Sequence, residues 1–166
     1  MINNILIIGK GSVSFRHLSL VKSIFKSAKI YHVGSRNFIK NYKRYLNSFF
    51  LITIVANDSP SHIKVVNLIN KNSNLIFIEK PISDNFQKAK KLMSKKKIKS
   101  KIWVGYNLIF TELFQKISSE IKKKKYGKLI SIRSVVGHNI KLWRKKNYKK
   151  SVSISKKLGG GVLNEL

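Results

Sequence analysis

The residues best suited to hold an anion stand near the start of the chain. Gly9-Lys10-Gly11-Ser12-Val13-Ser14 lies between an apolar run and a segment of helical period, where a dinucleotide pyrophosphate would rest on a helix N-terminus. Gly9 permits the tight turn, Gly11 lets a phosphate approach the backbone, and Ser12 and Val13 follow as contact residues, while Ser14 stands where a third glycine is common. The same turn also serves α/β proteins that bind no nucleotide. After the next apolar run, Val33-Gly34-Ser35-Arg36 lacks the acidic side chain that accepts hydrogen bonds from the adenosine ribose. Ser35 and Arg36 could hold a 2′-phosphate instead, a lean towards NADP over NAD, and Arg36 is equally readable as a solvated charge. There is no cysteine, and His17, His32, His62 and His138 are scattered, so thiolate chemistry and cysteine zinc sites are excluded and no metal site is expected.

The elements that must position these residues follow from periodicity. Apolar runs alternate with 3.6-period segments up to about Asn107, the signature of βαβ units and a parallel sheet. Strands are expected at residues 5–8, 30–33, 49–56, 75–78 and 102–104. Between them, Leu18, Val21 and Phe25 mark one helix, residues 37–47 a weak helix or loop, and Ser59-Pro60 the cap and first turn of a helix carrying Val65, Val66 and Ile69. Ser83 or Asp84 would cap a further helix carrying Phe86, Ala89, Leu92 and Met93. Beyond Asn107 the character changes: residues 110–125 are amphipathic through Leu113, Phe114, Ile117 and Ile121, with Gly127 as the stop. Residues 128–136 alternate as a half-buried strand of a different sheet, one without partners in this chain. The fold class is therefore α/β, a Rossmann-type doubly wound parallel sheet in residues 1–106, followed in 107–166 by the first helix and strand of an incomplete α+β domain.

Composition bounds the function. With 166 residues, 43% hydrophobic, the chain can bury a real core. No apolar run is long enough to span a membrane, and the first breaks at Gly9, against a secretory signal; the expected location is cytoplasmic. Thirty-five basic against six acidic residues give +29, which would suit a phosphate backbone. Thirty of the thirty-five are Lys rather than Arg, whose forked guanidinium is the group that reads bases. A solvated face is the favoured reading, with no nucleic-acid or membrane partner.

Several segments, in order along the chain, resemble the Gfo/Idh/MocA oxidoreductases, the family of glucose-fructose oxidoreductase and inositol dehydrogenase. The glycine fingerprint runs on into Arg16-His17; Ala56-Asn57-Asp58-Ser59-Pro60-Ser61-His62 is similar to the loop past the nicotinamide half; Ile78-Glu79-Lys80-Pro81 matches the Glu-Lys-Pro signature; and Val104-Gly105-Tyr106-Asn107 matches the hinge into the second domain. Tyr126-Gly127-Lys128, Trp143-Arg144 and Leu158-Gly159-Gly160-Gly161-Val162-Leu163 complete the series. The resemblance implies that Asn57, His62, Glu79, Lys80 and Asn107 meet the cofactor, with Glu79 on the nicotinamide ribose, and that Tyr106, Trp143 and Lys80 meet the substrate. Lys80 would exchange a proton with a sugar hydroxyl during hydride transfer. Read alone, Lys80 is one surface lysine among thirty and His62 a helix-start histidine.

This sequence also departs from the family. Ile109 and Thr111 stand where Arg and His are common, and Glu165 occupies the place of a catalytic Asp whose partner His would come four residues later, past Leu166. The resemblance thus implies the N-terminal part of an NAD(P)-dependent oxidoreductase of a sugar, nucleotide sugar or cyclitol, with Lys80 and Glu165 as catalytic residues. As a fragment it would be inactive, and homo-oligomeric only in a full-length form. The alternative is a non-catalytic dinucleotide-binding or partner-binding module, and a basic nucleic-acid-binding protein comes third.

Overall fold

Successive side chains of a strand point to opposite faces, so the aliphatic run Ile5-Leu6-Ile7-Ile8 can be buried throughout only if the sheet is covered on both sides. The computed structural model describes residues 3–94, 98–137, 139–143, 149, 151–155 and 160–161, and all four of these side chains are fully buried in it. Each contributes roughly 1.5–3 kcal/mol relative to an exposed position. They belong to β1 (Asn4–Ile8), which is followed by α1 (Ser12–Ile24), β2 (Lys29–Val33), α2 (Ser35–Asn41), a 3-10 turn at Tyr42–Tyr45 and β3 (Phe50–Val55). Then come α3 (Ser59–Ile69), β4 (Ser73–Ile78), α4 (Phe86–Met93) and β5 (Lys101–Val104). The strands form one parallel sheet in the order β2-β1-β3-β4-β5, a doubly wound arrangement whose order reverses between β1 and β3.

The two faces are filled unequally. Leu6 and Ile8 join Phe38, Val65, Val66, Ile69 and Leu92 in a core beneath α2, α3 and α4. Ile5 and Ile7 face Val21 with Leu18 and Phe25, so α1 supplies the cover on the other side. Among the described residues no helix is long and apolar enough to cross a membrane.

Several local expectations need correction. α3 has Asp58, not Ser59, at its N-cap, with Pro60 inside the first turn. α4 is capped by Asn85 rather than Ser83 or Asp84: Asn85 is extended and its Oδ1 accepts from the Lys88 amide at 3.1 Å, while Asp84 takes the Lys88 ammonium at 3.0 Å. Past β5, a 3-10 turn (Asn107–Phe110) precedes α5 (Glu112–Lys122), shorter at both ends than the amphipathic pattern. Gly127 does not stop α5. Lys124 takes the left-handed position (φ 53°), where its amide donates to Ile121 and that of Lys125 to Glu120, closing a Schellman motif without glycine. Residues 128–136 form no strand. A ladder needs a neighbour, and among the described residues none pairs with them, so Ile130 stays 96% exposed. The short α6 (Ile140–Trp143) and a 3-10 turn at Val152–Ile154 follow.

Candidate functional site

The parallel ladder runs one residue past β1, β3, β4 and β5, and that extension builds the site. Gly9 donates to Val33 O at 2.8 Å, Ala56 to Ile8 O at 2.8 Å, Glu79 to Val55 O at 2.9 Å and Gly105 to Ile78 O at 2.8 Å. Gly9, Ala56, Glu79 and Gly105 therefore stand in a row along the carboxyl edge of the sheet, where open α/β sheets bind ligands. A cleft of about 1280 Å³ opens over this row. Its lining brings together Gly9, Gly11, Ser12, Val13, Ser35, Arg36, Asn57, Glu79, Lys80 and Asn107, all singled out in the sequence.

Two glycines do different work. Gly9 has φ +141°, and a Cβ on it would lie 2.3 Å from the carbonyl oxygen of Ala56, so the close approach of the chain after β1 to the end of β3 leaves room for no side chain. Gly11 has an ordinary extended φ of −83° and caps α1 without any side-chain hydrogen bond. A Cβ there would meet nothing within 4 Å. Its bareness leaves open space in front of the first amides of α1.

Ser14, in the third-glycine position, is completely buried and has its own function in the loop. Its hydroxyl donates to Gly11 O at 3.0 Å and stands 3.2 Å from His32 Nε2. Lys10 Nζ is 3.4 Å from His32 Nδ1. A neutral imidazole with its proton on Nε2 satisfies the whole chain, from the Lys10 ammonium through His32 and Ser14 to the Gly11 carbonyl. Burial, and then the charge of Lys10, hold the His32 pKa below its ordinary value, in keeping with that form.

One face of α1 lines the cleft through Val13, Arg16, His17 and Leu20, the i, i+3, i+4, i+7 spacing of a helical stripe. His17 Nε2 is 2.6 Å from Glu79 Oε1, and the Phe77 ring packs against the His17 ring with centroids 5.4 Å apart. Gly105 keeps this corner open, since a Cβ there would come within 3.0 Å of Phe77 and 3.4 Å of the Glu79 carboxyl carbon.

His62 does not line the cleft. At 1% exposure it lies beneath the floor, with Nδ1 3.0 Å from Pro81 O and Nε2 2.9 Å from Asn57 O, so it joins the loop after β3 to the turn after β4. Both ring nitrogens are occupied by backbone, which leaves none for a ligand. Burial pushes its pKa down, against the two carbonyls that favour the charged ring. Tyr106 is also absent from the lining, its side chain more than half exposed. Trp143 ends α6; Arg144, Leu158, Gly159, Val162, Leu163 and the catalytic candidate Glu165 lie outside the described residues.

The lining suits an anionic dinucleotide. Lys10, Arg16, Arg36 and Lys80 outnumber Asp58 and Glu79, the Gly11 cradle is empty of side chain, and Asn57 Oδ1 is buried without a hydrogen-bond partner, an acceptor left for a donor. The His17 and Glu79 pairing and the His32 link were not anticipated from the sequence. The signal for the first was available, because His17 falls on the same helical stripe as Val13.

No protein-family model and no curated protein sequence matches the chain. Its fold does match solved structures. The WlbA dehydrogenase of Bordetella pertussis, in complex with NADH and UDP-GlcNAcA, superposes with a TM-score of 0.61 at 11% identity, covering 76% of this chain and 44% of its own. The apo scyllo-inositol dehydrogenase of Lactobacillus casei gives 0.59 at 14%, covering 76% and 43%, and an NAD-binding protein of Listeria innocua 0.64 at 16%, covering 99% and 51%. At these identities the likeness establishes the fold, and this chain spans about half or less of the length of each. The fold these structures share is the doubly wound parallel sheet expected from the sequence.

Proposed function

We propose that the chain is the dinucleotide-binding part of an NAD(P)-dependent oxidoreductase of the Gfo/Idh/MocA kind, acting on a hydroxyl of a sugar, nucleotide sugar or cyclitol. The observation that carries the reading is the convergence of the glycine turn, Ser35 and Arg36, Asn57, and Glu79 with Lys80 on one cleft at the carboxyl edge of the sheet. A neighbour in complex with NADH and a second described as NAD-binding support it. Residues 1–106 would hold the cofactor and residues 107–166 begin the part that meets the substrate. Partners of this reading are a small molecule and, in a longer form, further copies of the chain, without nucleic acid or membrane.

In this proposal Gly9, Gly11, Ser12 and Val13 receive the pyrophosphate on the uncapped start of α1. Ser35 and Arg36 hold a 2′-phosphate, which favours NADP. Asn57, Glu79 and Asn107 orient the nicotinamide half, and a bound nicotinamide supplies the hydride acceptor. Lys80 takes the proton of the substrate hydroxyl as its carbon gives up hydride. His62 acts from below, as the brace between the loops of Asn57 and Pro81. Tyr106, Trp143 and Glu165 remain proposals on the substrate side.

The 166 residues alone would bind cofactor and turn over slowly, because the apolar side chains from Leu113 to Val136 lie exposed and none of them lines the cleft. The same exposure favours the second reading, a binding module without catalysis. Titrating NADPH and NADH fluorescence against the purified chain tests the dinucleotide reading. Saturable binding that is lost in Gly11→Val, whose side chain fills the cradle, is the expected result; no saturable binding of either nucleotide contradicts it.

A further inference from the structure

The contact between His17 and Glu79 joins the two halves of the cleft. His17 belongs to α1, the helix whose start faces the glycine turn, and Glu79 follows β4. Their side chains, 17% and 20% exposed, meet at 2.6 Å. The His17 ring packs edge-on against Phe77, with centroids 5.4 Å apart, and Gly105, lacking a Cβ, leaves the room that Phe77 and the carboxylate occupy. A carboxylate has several acceptor sites on two oxygens. His17 engages Oε1, which fixes the plane of the group and leaves Oε2 outside this contact.

We propose, on the dinucleotide reading, that His17 is a positioning residue that presents the Glu79 carboxylate to the hydroxyls of the ribose on the nicotinamide side of the cofactor. Glu79 alone has three side-chain torsions to lose when it binds a ligand; tied to His17, it has already lost them. The contact thereby converts a flexible carboxylate into part of a preformed site. The adenosine and pyrophosphate end, held by Gly11 and the residues around Arg36, does not depend on it.

A ladder of three probes separates these ends: ADP, ADP-ribose, which adds the distal ribose, and NAD. Calorimetric titration of the purified 166-residue chain with each is compared for the unsubstituted protein, His17→Ala and His17→Gln. Gln keeps an N–H donor near the position of Nε2. The expected result is that His17→Ala weakens ADP-ribose and NAD about tenfold and ADP by less than about twofold, with His17→Gln recovering most of the loss. Equal weakening of ADP would show a general structural role and overturn the proposal, as would unchanged ADP-ribose binding or failure of Gln to recover it. If the unsubstituted chain binds NAD but ADP-ribose no better than ADP, the positioning proposal falls and the dinucleotide reading stands. If it binds none of the three, the positioning proposal falls, and the dinucleotide reading falls with it if NADP does not bind either.

Discussion

Gly9 and Ala56 approach so closely that a Cβ on Gly9 would sit 2.3 Å from the Ala56 carbonyl oxygen. The residues that follow β1 and β3 at the carboxyl edge thus leave no room for a side chain on Gly9, and the requirement for glycine there is a matter of folding before it is a matter of binding. Gly11, two residues on, has open space where a Cβ would stand. The same fingerprint contains one glycine that the fold needs and one that, on the proposed function, the ligand needs.

Gly9→Ala is therefore expected to destabilise the chain by about 2–4 kcal/mol, from left-handed backbone strain and a contact with main chain that cannot yield. Gly11→Ala should leave stability within about 1 kcal/mol and weaken NADP or NAD. Urea denaturation and cofactor titration on both variants separate the two effects; equal loss of stability in both would refute the division.

Arg36→Asp should shift preference from NADP towards NAD, since it replaces a cation suited to a 2′-phosphate with a carboxylate suited to ribose hydroxyls. Calorimetry with both nucleotides checks this. Unchanged relative affinities would mean that Ser35 and Arg36 do not face the adenosine end.

Acidification should destabilise the fold. His62 and His32 both have folded-state pKa values below their ordinary 6.5, in each case first through burial, so below that pH the unfolded chain binds the extra protons and stability falls with falling pH. Thermal midpoints measured from pH 7.5 to 5 should decline once pH drops under about 6.5, and His62→Gln should flatten the decline. A midpoint constant over that range would contradict the account.

Ile130 is 96% exposed, and Ile130→Lys should change stability by less than about 0.5 kcal/mol. Replacing Phe114 or Ile117 on the open face of α5 by Lys should reduce self-association seen by light scattering. A large loss of stability in Ile130→Lys would mean that residues 128–136 are packed.

The sheet was legible because its signals are local: runs such as residues 5–8 and 50–55 are too apolar for an exposed strand, and the segments between them carry helical spacing. The glycine turn and Ser35 with Arg36 were legible by their place at strand ends, and Glu79 with Lys80 through the resemblance of Glu79-Lys80-Pro81 to a family signature at such an end. What escaped depends on contacts distant in sequence. His62, which the resemblance assigns to the cofactor, is found with its two nitrogens against Asn57 and Pro81, and Ser14 reads as a missing third glycine until His32 is found beside it. Residues 128–136 show the converse, a strand pattern that forms no strand because a ladder requires a partner that alternation does not reveal.

The central claim is that a nicotinamide dinucleotide occupies the cleft over Gly9, Asn57 and Glu79. Amide chemical-shift mapping of the labelled 166-residue chain titrated with NADP tests it most directly. The account expects saturable shifts at Gly9 to Val13, Ser35, Arg36, Asn57, Glu79 and Lys80, with α5 unmoved. Absence of saturable shifts, or shifts centred on α5 and residues 128–136, would contradict it.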